Sequence, residues 1–222
     1  MQADSFKERL RESMRRETQH SHSLHFDRQA SVYRTGDPAD GVYFIETGLI
    51  KLLVLAPGGR ECLLAIHAPG DVFGELCLGG EDVVRQETAT AMDDTTLKAI
   101  PCPEFLTRLS QDSLLEGFVH YLAERVTSQQ EMIAHLVTVD SEHRLGETLL
   151  ALAMSLGKAD PRSRRIAVRI THEELSQMVG TTRPRITEFM NRLSALGLIE
   201  VTAERHLIVK EAKLRAYLRS IS

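Results

Sequence analysis

The chain has 222 residues, 42% hydrophobic and 26% charged, a composition that argues against wholesale disorder and a length that suits two small domains with separate cores. Its first residues lack the apolar centre of a signal peptide, and no run approaches the roughly 18 apolar residues of a membrane span, so a cytoplasmic protein is expected. The net charge of −4 conceals an asymmetry: residues 1–139 carry 13 Lys+Arg against 21 Asp+Glu and residues 140–222 carry 14 against 10, which makes the C-terminal part the candidate for phosphate contact.

Residues 1–25 read as a polar, helical extension. It carries His20, His22 and His25, for which a solvated cluster outweighs a metal site. From Gln29 to Pro103, short apolar runs alternate with Gly, Pro and Asp. Gly41–Ile45, Leu49–Leu55, Cys62–Ile66 and Thr95–Ile100 are expected strands, parted by turns at Gly36-Asp37-Pro38, Pro57-Gly58-Gly59 and Pro69-Gly70-Asp71. Strands so short and regularly spaced favour a small barrel or roll over a βαβ sheet. Cys62, Cys77 and Cys102 are odd in number and lack CxxC spacing, so they are expected as buried small hydrophobes rather than a disulfide or a zinc site. Redox sensing by cysteine would require an exposed thiol of low pKa.

A helix of about 28 residues is expected over 112–139, where there is no proline and Gly117 is the one glycine. Leu115, Val119, Leu122, Val126, Ile133 and Leu136 form a heptad-like seam, with Gln129 at the position between Val126 and Ile133. A single polar seam residue typically fixes register, which favours pairing with a second chain over packing within one. A further helix over Leu145–Leu156 ends at Gly157, and a loop with Pro161 and the basic cluster Arg162-Ser-Arg-Arg165 leads to a strand at Ile166–Ile170.

Thr171-His-Glu-Glu174 is a capping box that opens a helix, with Leu175, Met178 and Val179 on one face and a stop at Gly180. Thr182 is placed to cap the next helix, and Pro184 is tolerated in its first turn. Ile186, Phe189, Met190 and Leu193 then give an apolar face at spacings of three and four. Thr182, Arg183, Arg185, Thr187, Glu188 and Asn191 are left for other faces. Arginines at the front of such a helix can each grip guanine O6 and N7, so this pair of helices at 171–193 reads as a helix-turn-helix for duplex DNA. Leu198–Thr202 and His206–Lys210 alternate around a three-residue link, as in a β-hairpin or wing, and Glu211–Ile221 closes the chain as a short helix.

In this order the segments resemble the catabolite-activator and fumarate/nitrate-regulator (Crp/Fnr) superfamily of bacterial transcription regulators. The resemblance runs from about Phe26 to Lys210, on Gly41-Val-Tyr-Phe-Ile-Glu-Thr-Gly-Leu-Ile-Lys51, Pro69-Gly-Asp-Val-Phe-Gly-Glu-Leu76, Arg85, the long helix, Asp140 and Val179-Gly-Thr-Thr-Arg-Pro-Arg185. It implies an α+β chain: an N-terminal extension (1–25), a cyclic-nucleotide-binding-like β-roll (jelly roll, 26–110), a dimerisation helix (111–139), a hinge near Asp140 and a winged helix-turn-helix domain (140–222). It also implies an effector site at Gly74, Glu75, Leu76, Arg85, Gln86, Gln129 and Gln130, where in cyclic-nucleotide-binding members the glutamate takes the ribose hydroxyl and the arginine the cyclic phosphate.

Three features depart from the nucleotide-binding pattern: Gln86 after the arginine, Gln129-Gln130 where the base-contacting Thr-Ser pair stands, and the carboxylates of Glu81 and Asp82 in the cassette. A cyclic nucleotide, another small effector, and a purely structural Glu75–Arg85 pair all remain open. An iron–sulfur cluster is excluded because no cysteine precedes Cys62, and Cys77 with His67 makes weak axial ligation for haem. No nucleophile elbow, HExxH or phosphate-loop pattern points to an enzyme. A regulatory module without DNA function is the competing class, and it leaves the basic C-terminal part unexplained. The expected partners are a second copy of the chain, a pseudo-palindromic operator and, for an activator, RNA polymerase.

Overall fold

The computed structural model describes residues 2–16, 22–80 and 82–221. It divides into two compact units, Met1–Gln129 and Gln130–Ser222. In the first unit the order is α1 (Gln2–Arg16), β1 (His22–Phe26), β2 (Ser31–Tyr33), β3 (Gly41–Thr47), β4 (Ile50–Leu55), β5 (Glu61–His67), β6 (Val72–Phe73), a 3-10 turn (Glu75–Gly79), β7 (Thr88–Ala91), β8 (Thr95–Pro101) and α2 (Cys102–Gln111). The strands form two antiparallel sheets, β1-β8-β3-β6 and β2-β7-β4-β5.

Strand β3 explains why this roll has two cores. Its alternation sends Ile45 into the space between the sheets, with Ile50, Leu52, Phe73 and Leu97. Val42 and Phe44 point the other way, into a cluster with Phe6, Leu10 and Met14 of α1 and Phe105 and Leu109 of α2. A strand buried on both faces reads as the unbroken apolar run Val-Tyr-Phe-Ile.

The first residues are therefore not a detached polar extension. Phe6, Leu10 and Met14, spaced one helical turn apart, are at most 3% exposed, and Lys7 Nζ lies 2.6 Å from Asp71 Oδ1. Strand β1 begins at His22 and pairs with β8 from His22↔Ala99 to Phe26↔Thr95, which puts the roll's first strand upstream of residue 26. Of the three histidines weighed for a metal, His20 lies outside the described residues, and His25 sits 3.8 Å from the Asp27 carboxylate.

The long helix is shorter than expected, because α2 ends at Gln111 and Ser113 takes a left-handed φ of 54°. α3 then runs over Leu115–Thr138, 24 residues. Along it Leu115, Val119, Val126, Ile133 and Leu136 are exposed, whereas Leu122 packs on the helix-side core of the roll and leaves the seam.

The cysteines also differ from expectation. Cys77, in the 3-10 turn, and Cys102, the first residue of α2, form a disulfide, while Cys62 is exposed. Their separation of 25 residues carries no sequence signal; the pair meets because the turn packs on α2.

The second unit holds α4 (Ser141–Leu156), β9 (Gly157–Asp160), β10 (Ser163–Ile166), α5 (His172–Val179), α6 (Arg183–Ala195), β11 (Ile199–Val201), β12 (Leu207–Val209) and α7 (Glu211–Ser220). Asp140 caps α4 by accepting the Glu142 and His143 amides, each at 2.9 Å. The basic segment read as a loop is a hairpin instead: Arg162 bridges Asp160 and Glu200 at its tip, and Arg164–Ile166 pair with β12. That pairing ends at Ile166, so the strand expected over Ile166–Ile170 is absent and the segment after Ile166 is irregular. The sheet order β11-β12-β10-β9 backs a core of Leu145, Leu149, Ile166, Leu175, Ile186, Leu193 and Ile208. Among the described residues no helix is long and apolar enough to cross a membrane.

Candidate functional site

The helix pair is fixed at its first end by sequence-local chemistry. The Thr171 hydroxyl accepts the Glu174 amide at 3.1 Å, and the Glu174 carboxylate accepts the Thr171 amide at 2.9 Å. At the turn, Gly180 adopts φ 69°, ψ 43°, a left-handed conformation that favours glycine, and its amide donates to Ser176 O. A Cβ there would also sit 3.4 Å from Leu136 of α3. Arg144 braces the same turn, donating from Nε to Val179 O at 3.0 Å and from Nη1 to Val139 O at 2.7 Å.

The second helix opens differently from the expectation. Thr182 occupies the cap position but makes no side-chain cap bond, and Pro184 stands in the first turn. Ile186, Met190 and Leu193 are buried, and Phe189 is half-buried. Thr182, Arg183, Arg185, Glu188 and Asn191 are all exposed. Thr187 is set apart from them: its hydroxyl donates to Arg183 O and lies 2.8 Å from His172 Nδ1, so it links α6 to the start of α5. Glu188 is 3.5 Å from Arg192, which itself donates to Glu142 at 2.7 Å, and Tyr217 donates to the other oxygen of Glu142.

Sequence reasoning passed over the flanks of this helix. A cavity of about 520 Å³ lies beside it, with Arg169, Arg183 and Arg205 among its lining residues above a floor that includes Leu149, Leu175 and Leu207. Arg205, in the link between β11 and β12, adopts φ 64°. Counting cations along the sequence could have flagged Arg169 and Arg205; their convergence on α6 needed the fold.

In the roll, Gly74 (φ 80°) turns the chain into the 3-10 segment, and a Cβ on it would lie 2.7 Å from Arg85 Nη1. Arg85 is 1% exposed and already engaged. Nη1 donates to Gly74 O at 2.8 Å, Nη2 donates to Gly41 O at 2.7 Å, and the guanidinium lies 4.3 Å above the Tyr33 ring. Tyr33 donates its hydroxyl to Glu87 at 2.8 Å; burial, with the Glu87 charge behind it, pushes that phenol above its usual range.

Glu75 does not turn to Arg85. One oxygen pairs with Arg125 of α3 at 3.0 Å, and the other is buried with no hydrogen-bond partner among the described residues, as is Arg85 Nε. Arg125 was not singled out from the sequence, since a lone arginine on a charged helix has no distinguishing pattern. Leu76 and Gln86 are exposed, with Gln86 donating to Val84 O, and Gln129 and Gln130 are exposed along α3.

Asp71, just ahead of this segment, is nearly buried. Burial alone would raise its carboxyl, but the hydrogen bond and charge of His67, together with Lys7, outweigh that and hold it well below the usual carboxylate range.

Comparison with known proteins recognises the two domains that carry these residues. Residues 23–112 match the model of the cyclic nucleotide-binding domain, and residues 143–217 match that of the Crp-like helix-turn-helix domain. The chain is 29% identical over 192 residues to the CRP-like cAMP-activated global transcriptional regulator of Mycobacterium tuberculosis, covering 85% of this chain and 84% of that protein. It is 29% identical over 186 residues to the global nitrogen regulator of Synechocystis, covering 81% of each. Its fold superposes on the structure of FixK2 from Bradyrhizobium japonicum with a TM-score of 0.76 at 19% identity, over 89% of this chain and 97% of that one. With both domains in family order and transcription regulators as its relatives, the chain belongs to the Crp/Fnr superfamily and is a DNA-binding transcription regulator, not an enzyme.

Proposed function

We propose that the chain acts as a homodimer on a pseudo-palindromic operator, with α6 of each copy in the major groove and half-sites about one helical turn apart. One observation carries this reading: Arg183, Arg185, Glu188 and Asn191 are exposed on a helix whose opposite side is buried, with Arg169 and Arg205 flanking it. Arg183 and Arg185 read base edges, Glu188 and Asn191 contribute secondary contacts, and Thr182 meets the backbone. Thr187 positions α6 through His172 rather than reading a base. The exposed side chains Val119, Val126, Ile133 and Leu136 of α3 pair the two copies. Contact with RNA polymerase is the route by which an operator-bound dimer would activate.

The test is a footprint and gel shift of the full chain on its own promoter region. Symmetric protection is expected, with affinity falling steeply as salt rises. Sequence-blind or salt-insensitive binding would refute the reading. For the dimer, Val126→Asp/Ile133→Asp is expected to sediment as a monomer; a native-sized species would refute that part.

We further propose control by a small effector at the Glu75–Arg85 region, and one observation favours a member that does not respond to cyclic nucleotide. The two terminal nitrogens of Arg85 donate to Gly74 and Gly41 carbonyls, and Asp40 lies 3.8 Å away, so a cyclic phosphate would have to displace internal bonds. Titration calorimetry with cAMP, cGMP and 2-oxoglutarate separates the alternatives. Saturable binding of a cyclic nucleotide, abolished in Arg85→Lys, would overturn the favoured one.

A further inference from the structure

The disulfide between Cys77 and Cys102 is the least expected feature of the roll, and its position gives it a role beyond stapling. Cys77 is the central residue of the 3-10 turn Glu75–Gly79, and Cys102 is the first residue of α2. The turn is held firmly at its front. Gly74 O accepts Arg85, Glu75 pairs with Arg125 of α3, and the Cys77 amide donates to Gly74 O at 3.3 Å. Behind Cys77 the hold weakens: Leu78 packs half-buried on the core, but Gly79 and Gly80 are exposed, and a Cβ on either glycine would meet nothing within 4 Å. The cross-link therefore ties the rear of the turn to a fixed point, for Cys102 is anchored by its own amide donating to Asp40 O at 3.1 Å.

A regulator must work where its DNA is, and in such compartments thiol pools reduce most disulfides, so those that form are usually transient and redox-sensing. This step rests on the regulator reading above; the geometry of the turn does not.

We propose that Cys77 and Cys102 are a reversible redox-modification site, oxidised by peroxides and reduced by dithiol proteins, that fixes or frees the Glu75–Gly79 turn. Cys102 is half-buried and Cys77 buried, so the peroxide reaches Cys102 first. The Cys102 thiolate attacks one peroxide oxygen; an S–O bond forms, the O–O bond breaks, and the departing oxygen leaves as water after taking a proton. The Cys77 thiol then attacks the sulfenic sulfur, forming the S–S bond and expelling the hydroxyl as a second water. Two thiols lose two electrons and two protons, and one peroxide becomes two waters. In reverse, a dithiol attacks the bridge through a mixed disulfide, both cysteines are released as thiols and the reductant leaves oxidised.

The test uses the full chain carrying Cys62→Ser, which removes the exposed third thiol. Intact-mass alkylation should count two thiols after dithiol treatment, none after stoichiometric hydrogen peroxide, and two again when thioredoxin with its reductase is added without denaturant. Hydrogen exchange should then show the amides of Leu78–Gly80 exchanging at least tenfold faster in the reduced protein. Cys77→Ser/Cys102→Ser, also in the Cys62→Ser chain, should match the reduced rate with or without peroxide. Failure of the bridge to form, resistance to native-state reduction, or exchange equal within twofold in both states would each overturn the proposal. Gel shifts on the two forms keep the readings apart: loss of DNA binding in both would reject the operator reading and leave the thiol and exchange results to stand alone.

Discussion

Arg183 and Arg185 stand exposed on α6, without a side-chain partner among the described residues, while Arg85 is sealed inside the roll against two carbonyls and a tyrosine ring. The same side chain thus plays opposite parts in the two units. An exposed guanidinium keeps its donors for an outside acceptor and contributes little to the fold. A buried one has committed its donors, and the fold depends on them.

The contrast can be broken in four places. The largest effect is expected on DNA: Arg183→Ala/Arg185→Ala removes two bidentate readers at about 1–3 kcal/mol each, on the order of a thousandfold in affinity by gel shift. Its unfolding free energy should stay within about 0.5 kcal/mol of the parent by urea titration. Arg85→Ala is expected to do the reverse. It strands the Gly41 and Gly74 carbonyls and should cost the first unit about 3 kcal/mol, measured by the same titration.

A smaller effect should appear at Asp71. Its folded pKa is depressed, so its contribution is fully present above the unfolded value of about 4 and is lost as pH falls toward the folded value. Asp71→Asn should therefore cost about 2 kcal/mol at pH 7, and the gap to the parent should shrink as urea midpoints are taken below pH 4. The finest comparison is between two threonines. Thr171→Ala should lose about 1 kcal/mol and Thr182→Ala only a few tenths, since Thr171 bonds an amide and Thr182 does not.

Legibility followed the range of the interactions. Capping box, glycine turn and apolar spacing of α5 and α6 are all set within about four residues of one another, so the sequence displays them in order. The family resemblance located Glu75 and Arg85 but not their partners. Arg125 lies 50 residues from Glu75 and Gly41 lies 44 from Arg85, distances at which no periodicity survives. The same reason hid the packing of α1, read as helical but not as core because its three core residues are thinly spread through charged neighbours, and the hairpin β9–β10, where Arg-rich alternation looked like a loop. Thr187 shows the same limit within the helix pair. Its position on α6 suits a base reader, yet His172, fifteen residues earlier, occupies its hydroxyl.

The uncapped start of α6 has one last consequence. In α5 the first-turn amides are answered from within, by Thr171 and its capping box. In α6 Thr182 gives no such bond and Pro184 has no amide to offer, which leaves the Arg183 and Arg185 amides without an acceptor inside the helix. The free energy that a side-chain cap contributes inside the chain, on the order of 1 kcal/mol, is not supplied here, and the amides are left to water or to an external anion such as a phosphate. With α6 docked as proposed, a phosphate would supply the missing acceptor, and the local order of the first turn would then be a gauge of occupancy.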